Sequence, residues 1–141
     1  MSDSHRDLIA WQKAMALVTD IYRATDTFPS RETYGLTLQV RKAAVSVPSN
    51  IAEGKGRQTK RDYLQFLYRA RGSMLETETQ LEISRNLGFL EESKFLALFE
   101  QAAEAGRILN GLITNVRRQI DDGGRESLPI TPPKPNRPPK S

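Results

Sequence analysis

Six basic residues, Lys55, Arg57, Lys60, Arg61, Arg69 and Arg71, crowd the span 55–71 against a single acid, Asp62. That local excess of +5 exceeds the formal net charge of the whole chain, +4. Lysine and arginine at this density attract phosphate, so they point to a polyanionic partner. Arg41 and Lys42 lie just upstream and complete the candidate nucleic-acid-binding set: Arg41, Lys42, Lys55, Arg57, Lys60, Arg61, Arg69 and Arg71. Aromatic side chains stack on unpaired bases, and Tyr63 and Tyr68 stand nearby, although Tyr63 falls on an apolar stripe that marks a core. No sequence-specific recognition motif accompanies the cluster. The binding expected is therefore phosphate-directed and salt-sensitive, to RNA or DNA.

Other chemistry is sparse. His5 is the only histidine, so the Glu-x-x-His pairs of a di-iron bundle cannot form. Gly54-Lys55-Gly56 has a phosphate-loop flavour but lacks the preceding strand and the Ser or Thr after the lysine. It reads instead as a helix stop, since glycine accepts the left-handed conformation of a C-cap. No Ser-His-Asp or Cys-His set can be assembled. Neither an enzyme, a cofactor, a metal nor a small-molecule substrate is expected. A polar stripe interrupts the apolar segment around Pro48: Ser46, Asn50 and Glu53, four and three apart, share one helix face. Either these residues serve backbone groups freed by Pro48 or face water, or they join helices in a polar network that pairs Glu53 or Glu76 with Arg41 or Arg71.

The net charge misleads until it is located. Residues 123–141 carry Arg125, Lys134, Arg137 and Lys140 against Glu126, leaving only +1 for residues 1–122. A binding face on the domain must therefore come from asymmetry. From Gly72 to Glu104 seven glutamates, including Glu76, Glu78 and Glu82, face only Arg85 and Lys94. No apolar run approaches the ~18 residues of a membrane span, and MSDSHRDLIAW lacks the apolar stretch of a signal peptide. Without cysteine there is no disulfide framework or thiolate site, and a reducing cytoplasm is the natural setting.

Four helices must position these residues. The first spans about 7–25, with a stripe of Leu8, Trp11, Met15, Val18 and Tyr22 and a cap at Ser4 or Asp7. The second spans about 30–53, from a Ser30 cap to a Gly54/Gly56 stop, with Leu36, Val40, Ala43, Val47 and Ile51 inward. Pro48 removes one donor and kinks it. The third spans about 60–86, capped by Thr59 with Asp62, with Tyr63, Leu67, Ala70, Met74 and Leu81 inward. The fourth spans about 92–121, with Phe95, Leu98, Ala102, Leu109, Ile113 and Val116 among its inward residues, and ends at Gly123-Gly124. Short links predict an all-α, up-down-up-down four-helix bundle over residues 1–122. The proline-rich remainder, 123–141, is expected to be a disordered basic tail.

Several motifs together resemble the bacterial ribosomal-RNA intervening-sequence proteins. They are D-L-x-x-W at Asp7, Leu8 and Trp11, then Phe28-Pro29, then Q-x-R-K-A-A-x-S-x-P-S-N-I-A-E-G from Gln39 to Gly54. A-R-G-S-x-x-E from Ala70 to Glu76 and Leu87-Gly88 complete the match, which covers about residues 7–120. The resemblance implies a four-helix bundle and, in known relatives, a ring-shaped homopentamer. Some members are encoded within intervening sequences of large-subunit ribosomal RNA genes. Distant relatives act as accessory proteins of diversity-generating retroelements, engaging nucleic acid and a reverse transcriptase. The expected function is thus a non-enzymatic, self-associating, RNA-associated protein. The alternative is a homo-oligomeric interaction scaffold whose basic and acidic regions pair between subunits.

Overall fold

The computed structural model describes residues 4–126, and helices are the regular elements among them. A 3-10 turn at His5–Asp7 leads into α1 (Ile9–Thr25). A second turn at Ser30–Glu32 leads into α2 (Leu36–Lys55), followed by α3 (Lys60–Asn86) and α4 (Glu92–Glu126). Each helix packs on its neighbours in sequence, and α1 closes the ring against α4. That is the up-down-up-down bundle the short links require.

The helix ends follow local chemistry. Thr59 Oγ1 accepts from Asp62 N at 3.1 Å, the cap expected for α3. At the other end Gly88 adopts φ 79°. Gly88 N bonds Arg85 O and Phe89 N bonds Ser84 O, both at 2.9 Å, which turns the chain sharply into α4. The start of α2 differs from expectation. Ser30 opens only the 3-10 turn, and α2 begins at Leu36, where Glu32 Oε1 accepts from Leu36 N at 3.0 Å. Its C-terminus differs too. Gly54 lies inside the helix and Gly56 caps it at φ −83°, so no left-handed residue is used. α2 continues unbroken through Pro48. α4 runs through Gly123-Gly124 to Glu126, past its expected end; the rest of the expected tail, 127–141, lies outside the described residues.

The core holds Leu17, Ile21, Ile51, Leu67, Leu81, Leu109 and Ile113, all essentially inaccessible to water. The inward faces of α2, α3 and α4 are those the spacing predicts. The face of α1 is rotated. Ala10, Ala14, Leu17, Ile21 and Thr25 are buried, whereas Met15 and Tyr22 are about two-fifths exposed. Leu8, Trp11 and Val18 sit at the flank. Alanines bring α1 close to its neighbours, and their weak hydropathy hides that face beside a row of larger side chains.

Candidate nucleic-acid interface

Gly54 sets the basic end of the bundle. An added Cβ there would stand 2.7 Å from Phe66 Cβ and 3.2 Å from Tyr63 O, so α2 and α3 meet almost backbone to backbone. The 56–59 link then turns at once into α3, and Lys55, Arg57, Lys60 and Arg61 all fall within this corner. Lys60 and Arg61 are exposed in the first turn of α3, where free amide groups and the helix dipole favour anions.

Aromatic rings organise the cations around them. The guanidinium carbons of Arg57 and Arg69 each lie 4.6 Å from the Phe66 centroid. Lys55 Nζ lies 5.8 Å from the Tyr63 ring. Burial pushes the Tyr63 hydroxyl up from its ordinary pKa, so it stays neutral. Tyr63 belongs to the core and offers no face to a base. Arg57 also reaches Glu53 at 3.4 Å, one turn back on α2, an exposed pair worth about 0–1 kcal/mol.

The other predicted residues lie elsewhere. Arg71 faces α4, stacked 5.1 Å from Tyr68 and donating to Asn110 Oδ1 at 3.4 Å. Lys42 borders a groove between α2 and α3 with Gln39, Ser46 and Glu76. Arg41 pins α2 to the end of α1. Its Nε donates to Thr25 Oγ1 at 2.8 Å, its Nη2 donates to Tyr22 O at 3.1 Å, and its guanidinium carbon lies 4.4 Å from the Tyr22 ring. With its side chain only 24% exposed, Arg41 is a tie between helices. Arg41→Ala is therefore expected to cost about 1–2 kcal/mol in a urea melt and to leave nucleic-acid affinity within about twofold.

The polar stripe does join helices, through different atoms from those expected. Ser46 Oγ and Ser73 Oγ share a hydrogen bond of 2.8 Å across α2 and α3. Asn50 Nδ2 donates to Ser46 O at 2.8 Å and to Ser46 Oγ at 2.9 Å. Glu53 turns to Arg57 on its own helix. Arg41 and Arg71 are engaged with Thr25 and Asn110, so neither makes the expected pairing with Glu53 or Glu76. The carbonyl that loses its helical donor to Pro48 is that of Ala44, four residues back, whereas Asn50 serves Ser46.

Two further cations escaped the sequence reading. The Arg71–Asn110 bond and the approach of Gly106 to Met74 set the antiparallel register of α3 and α4. Extended by about two more turns, that register brings exposed Arg117 and Arg118 level with the start of α3. Asp121 and Asp122 partly offset them. The adjacent arginines were a signal, but only folding α4 back along α3 gives them company.

Among the described residues no group of three or more His, Cys, Asp or Glu side chains could hold a metal ion. No helix there is long and apolar enough to cross a membrane.

Comparison with known proteins bears on the fold. The family model described as 23S rRNA-intervening sequence protein matches residues 6–111. A solved structure, a protein of unknown function from the S23 ribosomal protein family of Bacteroides thetaiotaomicron, superposes with a TM-score of 0.67 at 18% identity. The match covers 74% of this chain and 98% of that one. Among curated proteins nothing matches.

Proposed function

The chain belongs to the 23S rRNA-intervening sequence protein family, and we propose that it is a non-enzymatic bundle protein that binds RNA through the basic corner between α2 and α3. The observation that carries this reading is the gathering of Lys55, Arg57, Lys60 and Arg61 at the N-terminus of α3, with Arg69 joined to Arg57 over the Phe66 ring; of the five, Arg57 forms an ion pair, with Glu53. Lysine and arginine that neutralise phosphates displace the counterions condensed on the nucleic acid, so affinity must depend on salt. Cytoplasmic residence, beside ribosomal RNA, goes with this reading.

Self-association supplies the second reading. Apolar side chains stand exposed on two sides of the bundle: Tyr34, Leu38 and Val45 before and along α2, and Leu75, Ile83 and Leu96 on α3 and α4. A second copy of the chain is a natural cover for such residues. A ring of copies would also repeat the basic corner.

The test is fluorescence anisotropy with a labelled structured RNA, beside light scattering coupled to size exclusion. Roughly five phosphate contacts predict an affinity loss on the order of 10²-fold between 50 and 200 mM salt. A stable oligomer that ignores RNA at both salts would overturn the RNA reading and favour the scaffold.

A further inference from the structure

We propose that Arg57 and Arg69, both stacked on Phe66, form a preset two-guanidinium clamp for neighbouring phosphates of a single nucleic-acid strand. The clamp rests on the nucleic-acid reading above and assigns its central contact. Each guanidinium carbon lies 4.6 Å from the centroid of the same ring, so the two stand no more than about 9 Å apart, twice that distance. Such a separation suits adjoining phosphates on one strand and falls short of the ~12 Å width of a B-DNA major groove.

Stacking occupies the face of a guanidinium and leaves its in-plane N–H donors free. Arg57 spends one nitrogen on Glu53, an exposed contact easily exchanged for phosphate. The ring itself cannot drift. Phe66 is 9% exposed, and its Cβ lies 2.7 Å from where a Cβ at Gly54 would stand, so α2 packs directly against it. The two arginines are therefore ordered before a ligand arrives, which removes part of the side-chain entropy cost of binding. Lys60 and Arg61 have no such platform and contribute charge alone. Lysine at position 57 or 69 would keep the charge but lose the planar fork and the stack.

The discriminating experiment measures anisotropy of fluorescein-labelled 20-nucleotide oligo(U) and oligo(dT) over a salt series. The proteins are wild type, Arg57→Lys, Arg69→Lys, Arg61→Lys and Phe66→Leu, each with a thermal melt. Arg57→Lys and Arg69→Lys are each expected to weaken binding about three- to tenfold with an unchanged salt slope. Arg61→Lys should stay within about twofold of wild type. Phe66→Leu retains both charges and should weaken binding like the arginine variants; if it fails to fold, those two variants decide. Equal losses on RNA and DNA identify the shared phosphate backbone as the ligand, and a loss confined to oligo(U) identifies an RNA strand. Wild-type binding by Arg57→Lys and Arg69→Lys would overturn the clamp while leaving RNA association intact. Wild type that binds neither oligonucleotide at low salt would also overturn the clamp, and the structured-RNA titration above then decides RNA association separately.

Discussion

Gly54→Ala is expected to destabilise the bundle, and Gly72→Ala to stabilise it, although both glycines lie inside α-helices. Helix propensity alone favours alanine over glycine by about 1 kcal/mol at either site. At Gly72 the new methyl meets nothing within 4 Å, so a gain of about 0.4–1 kcal/mol should appear. At Gly54 the methyl would stand 2.7 Å from Phe66 Cβ, 3.1 Å from Tyr63 Cδ1 and 3.2 Å from Tyr63 O. A backbone oxygen and a Cβ are not the movable ends of flexible side chains. Room can be made only by separating α2 from α3, the helix pair that carries the Ser46–Ser73 bond and much of the core. A net loss of about 1–3 kcal/mol follows for alanine, and more for valine. Urea midpoints followed by circular dichroism decide the matter. Gly54→Ala as stable as wild type would mean that the helices do not approach so closely.

Charge reversal at Arg57, Lys60 and Arg61 carries the second large expectation. Three favourable phosphate contacts become repulsive, so RNA affinity at low salt should fall by more than about 10²-fold, and the salt slope should shrink by about 2–3 units. Folding should survive. Glutamates at positions 60 and 61 lie in the first turn of α3, where the helix dipole favours negative charge by about 0.3–1 kcal/mol each. Arg57 also stacks on Phe66, so the double variant Lys60→Glu/Arg61→Glu separates loss of charge from loss of that contact. Unchanged affinity in the triple variant would remove this corner from the binding surface.

Spacing made the helices of this protein legible because amphipathic periodicity is written locally. Thr59 announces α3, Leu87-Gly88 ends it, and Val40, Val47 and Ile51 mark the inner face of α2. Where the reading slipped, a small or distant residue was at work. α1 is turned toward Ala10 and Ala14, which carry little hydropathy. α2 starts late because Glu32 reaches forward to cap Leu36, an arrangement that Ser30 obscures. Gly54 resembles a stop by composition, yet it serves as the contact point of two helices.

The local charge excess over 55–71 and the four-helix pattern were properties of the sequence alone. Which cations act together was not, because charge follows spatial neighbourhood. Packing sent Arg41 to Thr25 and Arg71 to Asn110, and brought Arg57 and Arg69 onto one ring. The register of α4 along α3 also carries Arg117 and Arg118 toward the end where α3 begins. A side chain is assigned its partner by helix register and by how closely two backbones approach, and both are set by residues far from it in sequence.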